Sequence, residues 1–417
     1  MQHLYPSITN NVDISLKIRI FRSLFLKILQ QVQHGYICIT DQIGSFTCGS
    51  DDQKLKAHIV VEDMNFYASV FYKGSIGFSI SYMNAHVKVD NLTNLLSIFA
   101  SNLPLVEKSE NNLFSFVFKL IQNLLFVLKL NTINNSKQNI LDHYDLSNEL
   151  FSLFLDKEMS YSSLIFKNID ESINSAANTK LQIIFDTLNL KPTDSLLEIG
   201  TGWGALAINA ALKFNCKTTT TTISDSQYSY VQNRIAELQL EEQITLMNKD
   251  YRNLTGKFNK LVSIEMIEAV GYQYLVEYFK KCSSLLEDDG LLLLQTILIR
   301  DDQYERAKHE MDFIKKFIFP GGCLPSMRAI INVVTEHTDL SLVSCNDITL
   351  DYAITLDKWR RNFMNNKQAI IDLGFDNYFI NMWMYYFSYC EAGFLNRNIT
   401  CVQILLAKPK YVKKTLA

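Results

Sequence analysis

From about residue 141 the chain alternates between short apolar or β-branched runs and longer stretches whose apolar residues recur every three or four positions. The runs are DSLLEI (194–199), KTTTTTI (217–223), QITLMN (243–248), KLVSIEMI (260–267), LLLLQTI (291–297) and CVQILLAKP (401–409). Strand signals separated by helical ones predict βαβ units and a parallel, doubly wound sheet. The threonine run suits a strand because Thr is β-branched. Earlier in the chain, GYICIT (35–40), GSFTCG (44–49), LKAHIVV (55–61) and FYASVFYKG (66–74) are short β-rich runs bounded by Gly or Asp, which predicts a mixed α+β unit. NTINNSKQNI (131–140) holds too little apolar surface for a core and reads as a linker. The expected organisation is therefore a smaller N-terminal α+β domain over 1–130, a linker over 131–140 and a Rossmann-like α/β domain over 141–417.

Two stretches combine apolar and polar positions differently. LFSFVFKLIQNLLFVLKL (113–130) is strongly apolar, but Lys119, Gln122, Asn123 and Lys129 make it a costly membrane span. LKIRIFRSLFLKILQ (16–30) sets Lys17, Arg19, Arg22 and Lys27 among Leu, Ile and Phe. Each reads either as a core helix or as a helix lying on a membrane surface, and 113–130 also as one lining a lipid tunnel.

Composition narrows the function classes. A net charge of −3 offers no basic field for nucleic acid, and no Asn/Asp-Pro-Pro-Tyr/Phe motif is present. The eight cysteines are scattered without a Cys-x-x-Cys pair, so no metal site is expected and a reducing compartment fits. The start, MQHLYPSITNNVDISL, lacks the pattern of a secretory signal. A cytoplasmic location is expected.

Only 15 glycines occur in 417 residues, yet Gly200, Gly202 and Gly204 fall within five positions, after the apolar run 196–199 and before a helical stretch. Such a strand–turn–helix lets a ligand approach the backbone closely. The spacing is G-x-G-x-G rather than the dinucleotide G-x-G-x-x-G, and Glu198 precedes it. An acidic group suits the cationic amino-acid end of S-adenosylmethionine better than a pyrophosphate. The next strand ends in TISDSQ, where Thr222, Ser224 and Gln227 offer polar groups to a ribose. The strand after that ends in KDYRNL, where Asp250 can accept from an adenine amino group, with Tyr251 beside it. Trp203 lies inside the glycine turn.

At these residues the chain resembles the cyclopropane fatty acid synthase family, which includes the mycolic acid cyclopropane synthases. The matching segments are HYDLSNELFSLFLDKEMSYSS (143–163), LLEIGTGWGALA (196–207), TISDSQ, DYRNL, SIEMIEAVG (263–271), FIFPGGCLPS (317–326), DYAITLDKW (351–359) and YCEAGF (389–394), colinear over about 270 residues. GSIGFSISYMNAHVKVDNLTNLLSIF (74–99) resembles the auxiliary domain that precedes many of these catalytic domains, except that Ile80 stands where that domain usually carries Glu.

The resemblance implies an enzyme that transfers a methyl group from S-adenosylmethionine to the cis double bond of an unsaturated phospholipid acyl chain. Loss of a proton then closes a cyclopropane ring. A methyl-branched or methylene product from the same fold is the alternative, and a lipid-binding relative without catalysis is a third reading. The family implies bound bicarbonate as the proton acceptor. By motif, Glu268 and Tyr352 match its side-chain ligands and Ser163 matches a backbone ligand. Gln295 and Ala269 stand where some members have His, and Ile297, two residues beyond Gln295, is grouped with these catalytic positions. Tyr161 and Ser162 of YSS fall with the cofactor residues. Cys390 has no basic neighbour in sequence to form a thiolate and is expected to shape the site rather than attack. His143 and Asp145 read as a lid near the cofactor, or Asp145 or Ser147 as a helix cap. The aromatic residues of the last third can stabilise a carbocation through their ring faces. The partners implied are a membrane phospholipid and the inner membrane surface, with a homodimer as a further possibility.

Overall fold

A computed structural model of the protein describes residues 14–51, 54–108 and 147–412. The chain forms two compact units, Met1–Leu125 with Ile371–Asn396, and Phe126–Ile370 with Arg397–Ala417. The helix expected at 113–130, the linker 131–140, and His143 and Asp145 lie outside the described residues.

The first unit holds a four-stranded sheet in the order β2-β1-β3-β4, with β1 Tyr36–Thr40, β2 Ser45–Gly49, β3 Lys56–Val61 and β4 Val87–Val89. Ile37, Ile39 and Ile59 are fully buried, as period-two alternation requires. The fourth β-rich run, FYASVFYKG, is instead part of a helix, Asn65–Met83, kinked at Gly74, where φ is 54°. Its aromatic and β-branched residues carried a strand signal, but Phe66, Tyr67 and Phe78 bury on a helical face. A second departure concerns the C-terminal third. The helix Asn377–Leu395 packs within this first unit, so the second unit is interrupted rather than continuous over 141–417. Thr93 donates its hydroxyl to the buried Glu391 carboxylate at 2.9 Å, and Asn381 donates to the Met83 carbonyl at 3.2 Å. Trp383, Tyr385 and Phe387 of that helix are almost wholly buried.

The second unit is built on a seven-stranded sheet in the order β10-β11-β9-β8-β5-β6-β7. Its strands are β5 Ser195–Ile199, β6 Lys217–Thr222, β7 Ile244–Asn248, β8 Phe258–Ile264, β9 Leu286–Ile299, β10 Ser341–Asp347 and β11 Ile399–Ala407. Each of the six runs expected here from sequence contains or overlaps a strand. The pairs from β9 through β7 are parallel, whereas β11 runs antiparallel to β9, and β10 antiparallel to β11. β10 was not legible, because SLVSCND is an edge strand with no buried residue and hence no alternation.

Both faces of this sheet are covered, which explains unbroken apolar runs such as 291–294. Leu291 and Leu293 pack with Leu181, Phe185 and Leu206 on one face. Leu292 and Leu294 pack with Phe279, Ile330 and Ile404 on the other. The chain leaves β5 toward β6 and β7 on one side and later returns to β8 on the other. That reversal opens a crevice at the carboxyl ends of β5 and β8.

Candidate active site

The crevice is a cavity within the second unit. Its walls include the glycine turn, Lys180, Glu198, Asp250 and Glu265. Gly200 and Thr201 donate their backbone N–H groups to the Thr221 carbonyl at 3.1 and 3.0 Å, tying the turn to β6. Two glycines are required for different reasons. A Cβ on Gly204 would come within 3.1 Å of Ile208 and Val231, so the turn packs tightly against its helix. A Cβ on Gly202, at φ +52°, would meet no atom within 4 Å. It would instead occupy open space in the cavity, which is what a backbone that cradles a ligand looks like.

The sequence-derived cofactor residues gather at this cavity. Tyr161, Ser162, Glu198, Gly200, Gly202, Trp203, Thr222, Gln227, Asp250 and Tyr251 all line it. Ser224 caps the helix Asp225–Glu237 by accepting from Gln227 N, and Gly204 caps the helix that follows the turn. Thr222 donates to Gln227 Oε1 at 2.9 Å, holding that amide at the end of β6. Asp250 is less free than expected: the Arg252 guanidinium grips both its oxygens at 2.9 and 2.7 Å, and Arg252 N donates to it as well. Ser147 is a helix cap, accepting from Leu150 N. Aromatic rings wall the cavity. Trp203 packs against Phe151 at 4.8 Å between centroids, and Tyr161 against Trp359 at 5.4 Å.

Glu198 is 3% exposed and accepts from the Thr220 hydroxyl at 2.6 Å. Burial pushes its carboxyl up to about 8, against the pull of that hydrogen bond and of Lys180. Lys180, itself 3% exposed, donates to Ser162 Oγ at 2.8 Å, and burial lowers its pKa. Nothing in the sequence marked this lysine, since it sits in an ordinary helical pattern, INSAANTKLQIIF. A buried carboxyl and a buried ammonium beside a glycine cradle can bind both ends of a zwitterionic amino acid, so these residues fit S-adenosylmethionine.

The residues expected to hold bicarbonate also come together, but around a different group. Ser163 N donates to Glu265 Oε1 at 2.9 Å, and Gln295 Nε2 donates to the same oxygen at 2.8 Å. The Tyr352 hydroxyl donates to Glu265 Oε2 at 2.7 Å. Gln403 donates to Gln295 Oε1 at 3.0 Å, which fixes the amide with its NH2 toward Glu265. Glu268 is not a partner in this cluster of donors. Its Oε1 accepts from Ile297 N at 2.6 Å and from the Thr296 hydroxyl at 3.0 Å, while its Oε2 is buried without a hydrogen-bond partner among the described residues. Ile297 thus acts through its backbone, on Glu268. Ser163 and Tyr352, two of the three expected ligands, and Gln295, in the place of a family His, are already engaged by a side-chain carboxylate. An external bicarbonate does not fit those donors.

Glu265 went unnoticed in the sequence, although it stands inside the quoted motif SIEMIEAVG. Two signals were available: an acidic residue at the end of an apolar strand, and a second one three positions later. Its backbone carries a third signal that only the structure reveals. Glu265 has φ 49°, a left-handed conformation that costs a residue with a Cβ about 1–2 kcal/mol. Such strain persists where surrounding structure imposes it, and it concentrates at functional sites. Burial raises the pKa of Glu265, opposed by Gln295, Tyr352, Ser163 N and Lys180. Burial, reinforced by Glu265, pushes Glu268 up to about 8. Cys390 lies in the first unit, on the helix Asn377–Leu395. No group of His, Cys, Asp or Glu that could hold a metal ion occurs among the described residues.

Residues 131–404 match the family described as mycolic acid cyclopropane synthetase. The chain is 33% identical over 329 residues to the tuberculostearic acid methyltransferase of Mycobacterium tuberculosis, covering 77% of this chain and 76% of that one. It is 31% identical over 355 residues to the cyclopropane-fatty-acyl-phospholipid synthase of Escherichia coli, covering 84% and 88%. Its fold matches a solved mycolic acid cyclopropane synthase complexed with S-adenosylhomocysteine and CTAB, with a TM-score of 0.60 and 28% identity over 65% of this chain and 98% of the other.

Proposed function

Because the chain belongs to the mycolic acid cyclopropane synthetase family of S-adenosylmethionine-dependent methyltransferases, we propose that it acts on the cis double bond of an unsaturated phospholipid acyl chain and forms a cyclopropane ring. The observation that carries this reading is the pairing of a glycine-lined cavity with a buried carboxyl group in its wall, Glu265, held by Ser163 N, Gln295 and Tyr352. Methylation of an alkene needs this combination, an electrophilic methyl beside a group that can remove a proton in a site poor in water.

The bound cofactor supplies the electrophilic methyl. Gly200, Gly202 and Trp203 of the turn would hold it, Glu198 and Lys180 would serve its amino-acid end, and Gln227 and Tyr251 would serve its nucleoside. The remaining work falls to the chain. An isolated alkene is a weak nucleophile, and its methylation leaves positive charge on carbon. Aromatic faces such as those of Tyr161 and Trp203 stabilise that charge by roughly 0.5–2 kcal/mol per contact and offer no nucleophile. They also exclude water, which would trap the cation. The charge is relieved when a proton leaves the new methyl, and Glu265, a carboxyl in the cavity wall, is placed to receive it. A methyl-branched product would follow if the proton left a neighbouring carbon instead. The relative named as a tuberculostearic acid methyltransferase keeps that outcome in the test.

The substrate lies in a bilayer, whereas no described helix is long and apolar enough to cross one. Docking on an anionic membrane surface is therefore part of the proposal, with the helix Leu16–Leu29 as the contact. The test is lipid profiling of a host expressing the chain, followed by proton NMR of the isolated fatty acids. Ring protons at unusually high field are expected; a methyl-branched alkene without them would overturn the cyclopropane reading.

A further inference from the structure

Three donors from three separate elements converge on one side-chain carboxylate in the active cavity. Ser163 N comes from the segment before the helix Ile173–Leu188, Gln295 from β9, and Tyr352 from the helix Thr349–Asn365. We propose that Glu265 is the proton acceptor of this reaction, standing in place of an external anion, so that the chain works without bicarbonate. The inference rests on the alkene methylation proposed above and concerns which group takes the proton.

The geometry supports this in four ways. First, every donor available to an external anion at this point is spent on Glu265, so an added anion would face a carboxylate rather than a vacancy. Second, Gln295 and the Tyr352 hydroxyl are both donors here, and neither is a base at neutral pH. Third, Glu265 keeps its carboxylate in this position from a left-handed backbone conformation that glycine would adopt without strain. Fourth, the groups facing Glu265 divide the charge. Lys180 favours its ionised form, while Glu268 and the Cys401 thiol, 3.9 Å away, present no cation. Two adjoining carboxyls in one buried site hold a single proton between them most readily. Glu268, with one oxygen unpartnered, is the member suited to carry that proton, which leaves Glu265 as the anion.

The step balances. Methyl transfer consumes the π pair of the alkene, releases a neutral thioether and leaves a cationic carbon. A C–H bond of the new methyl then breaks, and its electron pair forms the second ring bond to that carbon. The proton passes to a Glu265 oxygen and from there to solvent through the cavity. Glu265 Oε1 is engaged by Ser163 N and Gln295, whereas Oε2 accepts only the Tyr352 hydroxyl among the described residues and keeps a lone pair for the proton.

The test uses the purified full chain with vesicles of unsaturated phospholipid in buffer freed of carbon dioxide. Wild-type turnover is expected to be unchanged when bicarbonate is added back. Glu265→Gln should lower turnover by about 100-fold or more, the range for loss of a general base, with S-adenosylmethionine affinity unchanged. Glu265→Gly should be as slow, and bicarbonate or formate should restore part of its activity. A wild-type enzyme that needs bicarbonate, or a Glu265→Gln variant with full turnover, would overturn the proposal. A separate measurement does not depend on the substrate being right. The carbon resonance of labelled bicarbonate should broaden on addition of Glu265→Gly but not of wild type, and binding to wild type would equally overturn the idea. Failure of the proposed function shows itself differently, as a wild-type product without ring protons.

Discussion

The hydroxyl of Tyr352 donates to Glu265 across 2.7 Å, joining residues 87 positions apart. The contact ties a helix of the second unit to the residue that follows β8. A phenol that donates to a carboxylate favours its ionised form. Tyr352→Phe removes that donor, so the Glu265 pKa should rise. Turnover should fall at neutral pH, and the acidic limb of the pH–rate profile should move to higher pH, while S-adenosylmethionine affinity stays the same. Equal losses in turnover and affinity, with an unmoved profile, would assign Tyr352 a merely structural part.

Backbone strain at Glu265 can be isolated from its chemistry. Glu265→Ala and Glu265→Gly both delete the carboxylate and free the same donors. Only alanine retains a Cβ at φ 49°. The glycine variant should therefore be more stable than the alanine variant by about 1 kcal/mol, while both are inactive without added anion. Urea denaturation of the two variants checks this, and equal midpoints would mean that the segment relaxes.

The residues named from sequence for the cofactor line one cavity, and Ser163, Gln295 and Tyr352, named through the family resemblance, converge on one point, but the carboxylate they converge on was not named. The glycine turn, Glu198 and the ends of β6 and β7 are local features, where a strand pattern stops and polar residues begin. Lys180 and Thr296 announce themselves only through contacts over long sequence separations, and so do the partners of Glu265. Glu265 meets Ser163 102 positions away, and Gln295 30 positions away. The same limit applies to the fold. Buried strands such as β9 read as apolar runs. The first half of the helix Asn65–Met83, FYASVFYKG, read as a β-rich run because of its aromatic and β-branched residues. The helix Asn377–Leu395 gave no sign that it packs with the first unit, since affiliation is a property of tertiary contacts.

The glycine cradle makes its own prediction. Gly202→Val would place a branched side chain where the cavity is open, in a left-handed conformation that valine disfavours. Binding of S-adenosylmethionine, read by calorimetry, should be lost while the far-ultraviolet circular dichroism of the fold is kept. Unchanged affinity would remove the turn from the site.

Stability of the ligand-free protein should depend on pH in a defined direction. Burial and Glu265 push Glu268 up to about 8 from an ordinary value near 4.5, and burial does the same to Glu198. Between those values the unfolded chain has released a proton that the folded chain still holds. Folding stability must then fall as pH rises from about 5 to 8 and level off above. Glu268→Gln cannot ionise, so it should flatten part of that decline. Denaturation midpoints at pH 5 and pH 8 for both proteins decide it; identical slopes would mean that Glu268 is ionised at neutral pH in the folded state.

Membrane docking can be tested on the helix Leu16–Leu29. Leu16, Ile20, Leu24 and Ile28 recur every four residues and are all exposed, Leu16 at 74% and Ile28 at 53%. Phe21, Leu26 and Leu29 face the core instead. Of the basic residues expected to meet headgroups, Arg22 is bound to the buried Asp41 at 2.6 Å and is therefore withdrawn from that role. Lys17 lies 5.3 Å from the centre of the Tyr72 ring, near the helix start, and Lys27 stands in the last turn. An apolar stripe flanked by cations is the arrangement that settles at a lipid interface. Vesicles with anionic lipid should bind the protein, and binding should weaken as salt rises. Reversing Lys17 and Lys27 to Glu should weaken it further, since each cation contributes about 1 kcal/mol near such a surface. Ile20→Ser with Ile28→Ser should lower the portion of binding that resists salt. Binding that ignores both salt and these four positions would place the membrane contact elsewhere on the chain.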